Sequence, residues 1–448
     1  MRKILERALS AVKPTDEEVC FEQAFAQMLV KHVQEHAPKK CLVVLAGSIA
    51  KKTFLRDKKD IDIFVLFDRS LPKEDLEPFI KAIMEESFPH VGYQLSYAEH
   101  PYVRFHFEGR KIDLVPAYKI TKASERVSAV DRSVLHSKFV QRSLKKKQID
   151  DVLLLKQFLR ANSFYGAEIK IAGFSGYLCE LLIISHGGFV KLLRAASKWS
   201  ARSSIFLDIK KYYKKTKNQK RNKKEINRSR AMEGSIEFAL EHFGSLFVVV
   251  DPTDQNRNVA AAVSPENLAR FISLSKRFLK APSDVFFFRK PETFEDRTKK
   301  ASRGKKLILV SMPRPEIVDD VLWGQLHKMT GQLEAHLSEF KPKIIADDSR
   351  HLVRLAIVLE RDRLPKKMLI AGPPLEMAKH VASFKKSHKK AKFIIKKGKL
   401  FAEADRPIIG AEDSIRSFFL SFSKTKSHLA YPEEMIVLEK GDSVLKKR

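Results

Sequence analysis

The stretch "LAGSIAKKTFLRDKKDIDIFVLF", residues 45–67, narrows the folds open to this chain more than any other. It ends in a β-branched and aromatic run that reads as a buried strand, yet the run carries aspartates at 60 and 62. Residues i and i+2 of a strand project from one face, so Asp60 and Asp62 point together while Ile61 and Ile63 face the opposite layer. Two anions side by side raise one pKa or weaken the fold unless cations or a bound metal offset the repulsion. Asp113, in the apolar run "IDLVP", is a third acid that would close the same site. Three carboxylates are hard oxygen donors suited to Mg²⁺, which keeps several waters and completes its shell with substrate phosphate oxygens. A two-metal site for phosphoryl transfer is one reading and the solvated face of a strand is the other; alternation alone does not separate them.

Just ahead of the acids, Gly47-Ser48 follows the strand-like "KCLVVLA" and precedes "IAKKTFLR", which has the length and composition of a short helix. Backbone N–H groups at a helix start, with the Ser48 hydroxyl and the Lys51 ammonium, form a seat for a triphosphate. The turn lacks the GxxxxGK[ST] spacing of a P-loop and the GxGxxG of a dinucleotide fold, which disfavours both classes.

The rest of the chain predicts an α+β protein of several units. Thr15 to His36 reads as a capped helix, "PKEDLEPFIKAIMEES" as another, and "YQLSYAEHPYVRFHFEGRKIDLVPAY" as an antiparallel pair turning at Glu108-Gly109-Arg110. These make a mixed head over 1–138. Helical periodicity in "IDDVLLLKQFLRAN" and "GYLCELLIISHGGFVKLLRAASKW" predicts a mainly helical unit over 139–280, and alternating strand and helix signals predict a second α+β unit over 281–448. Residues 209–230, "IKKYYKKTKNQKRNKKEINRSR", are too polar to build a core and read as a basic loop.

With 448 residues and a net charge of +31, the chain calls for a polyanionic partner, and nucleic acid fits best. No apolar run approaches the roughly 20 residues that span a bilayer, and the N-terminus has no secretory pattern, so a cytoplasmic protein with no membrane partner is expected. Three cysteines provide neither a disulfide framework nor a CxxC metal pair.

A strand ending in Gly-Ser, a short helix, DxD in a strand and a third Asp on a later strand resemble the nucleotidyltransferase superfamily that includes DNA polymerase beta. "YAEHPYV" at 97–103, "AVDRS" at 129–133, "FYGAEIKIAGFSGYLCELLI" at 164–183 and "VVDPTDQNRNVAAAVSPENLARF" at 249–271 narrow it: they are similar to archaeal-type, class I CCA-adding enzymes. The resemblance implies a polymerase-beta-like head, a helical middle domain and a C-terminal RNA-binding body. It implies addition or repair of the 3′-terminal CCA of tRNA from CTP and ATP without a template, recognition of the acceptor end and neighbouring arm, and a homodimer. Carried across by motif, Asp60, Asp62 and Asp113 would be catalytic and bind two Mg²⁺ ions. Ser48 and Lys51 would contact the nucleotide, His136, Lys156 and Tyr165 the triphosphate or sugar, and Arg257 the base edge. Family members commonly have Tyr, Arg and Glu where this chain has Ile49, Lys51 and Asp60, and often Gly at Asp57.

From the residue pattern alone, His136 also fits a packed histidine, Lys156 a solvated face, Tyr165 a packed ring and Arg257 an exposed loop charge. The catalytic constellation is shared across chemistries, so an enzyme adding oligo(A) or oligo(U) stays open, as does a non-catalytic RNA-binding derivative. Besides residues 209–230, "KKSHKKAKFIIKKGK" at 385–399 is a candidate for RNA backbone contact.

Overall fold

Thr15 starts the long N-terminal helix. Its hydroxyl accepts the Glu18 N–H while the Glu18 carboxylate accepts the Thr15 N–H, a reciprocal cap worth about 1 kcal/mol. Helix α1 spans Arg2–Val12 and α2 Asp16–His36. The computed structural model describes residues 1–97, 101–214, 234–290, 292–389 and 391–438. Two units emerge, residues 1–291 and 292–448.

In the first unit, β1 (Leu42–Ala46), β2 (Ile61–Phe67), β3 (Tyr93–Tyr97), β4 (Pro101–Phe107) and β5 (Arg110–Tyr118) form one sheet in the order β1-β2-β5-β4-β3. Only the β2–β5 pair is parallel. Ala26, Leu29 and Val33 of α2 pack with Ile61, Ile63 and Val65 of β2 on one face. Helix α4 (Leu76–Ser87) buries Ile80, Ile83 and Met84 in the same core.

Two local expectations change. The run 93–118 makes three strands rather than a pair: the turn at Glu108 (φ 48) and Gly109 (φ 70) is there, as a two-residue hairpin requires, but "YQLSY" also folds back on β4. The alternating run is long enough for both turns. Helix α3 occupies Gly47–Lys51 rather than the whole of "IAKKTFLR". Lys52 takes a left-handed φ of 60, and the Thr53 N–H donates to the Ser48 carbonyl at 2.9 Å, which ends the helix.

Helices α5 (Arg132–Ser143), α6 (Lys146–Ala161), α7 (Gly176–His186) and α8 (Phe189–Ala196) build a separate phenylalanine-rich core that includes Phe158, Phe189, Phe271 and Phe278. The apolar run read as continuous helix breaks at Gly187 (φ 77) and Gly188 (φ 145), bending α7 from α8 by 89°. Among the described residues no single helix is long and apolar enough to cross a membrane. This mainly helical region also contains a sheet that periodicity did not reveal, β6 (Ile205–Asp208), β7 (Phe247–Asp251) and β8 (Asp254–Asn258), in the order β6-β7-β8. Its middle strand, "FVVVD", is a short apolar run, and such runs do not distinguish strand from buried helix.

The second unit is α+β as expected. Strands β9 (Lys306–Pro313), β10 (Pro342–Asp348), β11 (Leu352–Leu359), β12 (Lys367–Pro374), β13 (Lys392–Lys396), β14 (Lys399–Asp405) and β15 (Glu434–Leu438) form two sheets, β10-β11-β9-β15 and β12-β14-β13. The first packs on helices Asp319–His336 and Ala411–Phe422 through Leu326, Leu333, Ile415 and Phe419. Of the basic segments, residues 215–230 and 390 lie outside the described residues.

Candidate active site

Asp62 and Asp113 fall on one rung of the head sheet; Asp60, expected in the same strand as Asp62, lies just ahead of β2 and outside the ladder. Across adjacent strands the register runs Ala46, Asp62, Asp113, Arg104, and neighbouring strands lie about 4.8 Å apart. Ile61 and Ile63 enter the core below, so Asp62 projects from the face that carries Phe64 and Leu66. Gly47 sits over this rung at φ +68, and a Cβ there would overlap Asp62 Oδ2, which is why glycine stands at the turn.

Each outer acid has its own cation. Arg104 grips Asp113 in a fork, Nε at 2.7 Å from Oδ1 and Nη2 at 2.8 Å from Oδ2. Asp60 has Lys111 at 3.1 Å and Lys58 at 3.6 Å. The partly buried Asp62 makes no ion pair with a described residue, and desolvation together with the neighbouring Asp113 pushes its pKa up to about 6. Among the described residues, no group of three His, Cys, Asp or Glu gathers its donor atoms around one point. Asp113 and Asp60 are engaged by Arg104 and Lys111. The donor set still suits a divalent cation: hard oxygens from neighbouring positions, with the central one short of counter-charge.

A second charged cluster joins α3 to α6 and α7. Lys51 donates to Glu180 Oε2 at 2.6 Å, and the Thr53 hydroxyl donates to Oε1 at 2.6 Å. Lys156 donates to the Thr53 carbonyl at 2.7 Å and lies 3.7 Å from Glu180 Oε1. The Glu180 side chain is 0% exposed and that of Lys156 only 2%, so Lys156 is a buried cation and not part of a solvated face. Burial raises the Glu180 pKa, but the two ammoniums outweigh it and hold the carboxylate below its usual range. Tyr165 and Lys156 meet over the first residue of α7: a Cβ on Gly176 would lie 3.3 Å from the Tyr165 hydroxyl and 3.6 Å from Lys156 Nζ. Burial raises the Tyr165 pKa, keeping the phenol neutral.

The remaining two residues share a third anchor. His136 Nε2 lies 2.8 Å from Asp251 Oδ2, and Arg257 Nη1 donates to the same oxygen at 2.9 Å. Asp251 is fully buried; its other oxygen accepts the Tyr177 hydroxyl at 3.1 Å and both the N–H and hydroxyl of Thr253 at 2.8 Å. Burial opposes ionisation of Asp251, but His136 and these donors win and lower its pKa. The His136 ring stacks on Tyr177, centroids 4.1 Å apart. Burial lowers the His136 pKa, against the pull of Asp251.

Lys51, Lys156 and Tyr165 are thus gathered around α7, and His136 and Arg257 around Asp251. Ser48 stays on α3, beside the acid rung. Sequence reasoning missed Arg104, Tyr177, Glu180 and Asp251. Glu180 had a signal: it is the single acid in the otherwise apolar "GYLCELLII", and a carboxylate in such a helix is buried and must be paired. Asp251 carries the same signal at the end of "FVVVD".

Three known domains match the chain: "Nucleotidyltransferase domain" over residues 27–136, "tRNA nucleotidyltransferase, second domain" over 150–288, and "CCA-adding enzyme, C-terminal domain" over 303–429. The CCA-adding enzyme of Methanocaldococcus jannaschii is 37% identical over 419 residues, covering 91% of this chain and 88% of that protein. Those of Methanosarcina mazei and Archaeoglobus fulgidus are 34% and 33% identical, each covering 93% of this chain and 89% of the relative. Among solved structures, the Cid1 poly(U) polymerase is a remote likeness, with a TM-score of 0.47 and 13% identity over 64% of this chain and 98% of that one. Domain order, length and identity agree, and the chain belongs to the archaeal, class I family of CCA-adding enzymes.

Proposed function

We infer that this chain adds or repairs the 3′-terminal CCA of tRNA, taking CTP and ATP and releasing pyrophosphate without a nucleic-acid template. The observation that carries the placement of the chemistry is the in-register Asp62–Asp113 rung beneath Gly47. In this reading Asp60, Asp62 and Asp113 hold divalent metal, as a pair of Mg²⁺ ions. When bound, the metal lowers the pKa of the attacking 3′ hydroxyl and neutralises charge on the leaving pyrophosphate.

The protein's own groups do the rest. Asp113 and Asp60, paired here with Arg104 and Lys111, would share their oxygens between those cations and the metal. Asp113, oriented by Arg104, takes the proton of the 3′ hydroxyl. Ser48, Lys51, His136, Lys156 and Tyr165 hold the triphosphate and sugar and orient the leaving group, while Arg257, carried by Asp251, reads the base edge together with RNA phosphates.

The net charge of +31 serves tRNA binding through phosphate contacts, which makes affinity strongly salt-dependent. Shape rather than base sequence selects the acceptor end and neighbouring arm, because A-form grooves expose little sequence information. Residues 1–138 carry the chemistry, 139–280 the nucleotide contacts, and 281–448 the body of the tRNA, with 209–230 and 385–399 as backbone-contacting segments; the active form is a homodimer.

A product ladder on tRNA lacking its CCA, run with CTP alone, ATP alone and both together, tests the reading. Ordered addition of C, C and A followed by a stop is expected. A lengthening run of A or U would make the chain a tailing enzyme, and no incorporation by folded protein would make it a non-catalytic RNA binder.

A further inference from the structure

Glu180 belongs to none of the groups that the reaction needs, yet it touches two of them. It is a fully buried carboxylate on α7 whose partners are Lys51 at 2.6 Å, the Thr53 hydroxyl at 2.6 Å and Lys156 at 3.7 Å. The Lys51 side chain is 9% exposed, pairs with Glu180, and its charge also opposes the rise of the Asp62 pKa. Burial lowers the Lys156 pKa against the pull of Glu180; with both lysines protonated, two ammoniums around one carboxylate leave a net charge of +1 where a triphosphate would meet +2 without it.

A bland role, simple gluing of α3 to α7, would be served as well by apolar side chains of similar volume, because a buried ion pair contributes little net stability. We propose that Glu180 is a positioning residue that competes with the triphosphate for the charge of Lys51, holding that ammonium ready in the free enzyme and moderating the grip on the pyrophosphate product. The proposal rests on the reading that Lys51 and Lys156 face the triphosphate. Lys51 has three N–H donors, so it keeps Glu180 with one while offering the others to phosphate. A carboxylate this near weakens the cationic field felt by the incoming phosphates, and does so equally for the outgoing pyrophosphate. Uniformly tighter binding does not speed the chemical step, and a product held too firmly slows turnover.

The test uses the full chain and the near-isosteric Glu180→Gln, which keeps an acceptor for the Thr53 hydroxyl and removes the charge. Titrations with CTP, inorganic pyrophosphate and CMP in the presence of Mg²⁺ give affinities, and CCA addition to truncated tRNA gives kcat and KM. Glu180→Gln is expected to bind CTP and pyrophosphate about tenfold more tightly, leave CMP unchanged, lower KM and lower kcat together, and become more sensitive to inhibition by pyrophosphate. Unchanged or weaker pyrophosphate binding would overturn the proposal and leave Glu180 a structural anchor. Glu180→Asp, which keeps the charge but withdraws it by one methylene, should tighten binding by a smaller factor; if neither variant folds, the anchor role stands and the proposal falls. Lys51→Met and Lys156→Met separate the two levels of inference. If both leave CTP and pyrophosphate binding intact, the assignment of the lysines to the triphosphate is wrong; if they weaken it while Glu180→Gln does not strengthen it, only the role of Glu180 is wrong.

Discussion

The acid rung of the head and the lysine cluster around α7 solve the same electrostatic problem with opposite signs. At the rung, Asp62 and Asp113 sit side by side on interior strands with Asp60 just ahead of β2, and Arg104 and Lys111 pair with Asp113 and Asp60 while Asp62 is left without an ion pair among the described residues. Around α7, two lysines crowd one buried carboxylate, and a single positive charge is left over. Neither cluster is fully matched at its centre. The residual charge is what a ligand of opposite sign relieves: a divalent cation at the first, a polyphosphate at the second. Full internal neutralisation would have made both sites more stable and less able to bind.

The largest test of this contrast is removal of an acid from the rung. Asp113→Ala should lower CMP and AMP incorporation by about a thousandfold or more, since metal coordination supplies several kcal/mol of transition-state stabilisation, while binding of CTP without metal stays near normal. Near-normal incorporation by that variant would end the metal assignment.

Next in size is the loss of a lysine from the second cluster. Lys156→Met leaves the buried Glu180 with Lys51 as its remaining lysine and should cost about 3 kcal/mol of stability in denaturant unfolding. A loss below about 1 kcal/mol would mean that the cluster is better solvated than its burial indicates.

The smallest expected effect has the opposite sign. Asp62 has a folded-state pKa above its unfolded one, so its contribution favours the fold below about pH 4 and is lost as pH rises through about 6. Metal-free Asp62→Asn should therefore be more stable than the parent at pH 8 by about 1 kcal/mol, discounted for partial exposure, with the difference fading below pH 6 and gone near pH 4. Mg²⁺ should stabilise the parent and not the variant. Equal stability of the two proteins at pH 8 would show that Asp62 is not short of counter-charge.

Much of this was legible beforehand, for reasons that are local. The Thr15–Glu18 cap, the hairpin turn at Glu108-Gly109 and the placement of Asp62 on the face opposite Ile61 and Ile63 each depend on a few adjacent residues and on backbone geometry, whereas Asp60, expected in the same strand, lies just ahead of it. Gly47 was legible as a turn residue. That its missing side chain makes room for Asp62 became visible only with β1 and β2 paired.

What the amino-acid order determined by itself was the family, the α+β character and a shortlist of charged residues set in apolar runs. What tertiary structure decided was the partnership of those charges: Arg104 with Asp113 through sheet register, Lys51 with Glu180 across 129 positions of sequence, and His136 with Arg257 through Asp251. It also decided that Lys156 is buried rather than solvated, that "FVVVD" is a strand, and that the α7–α8 run breaks at its glycine pair. The physical reason is range. Helical and strand periodicity act over a few residues, whereas the energy of a charge depends on what surrounds it after the chain has folded, and segments far apart in the sequence supply those surroundings.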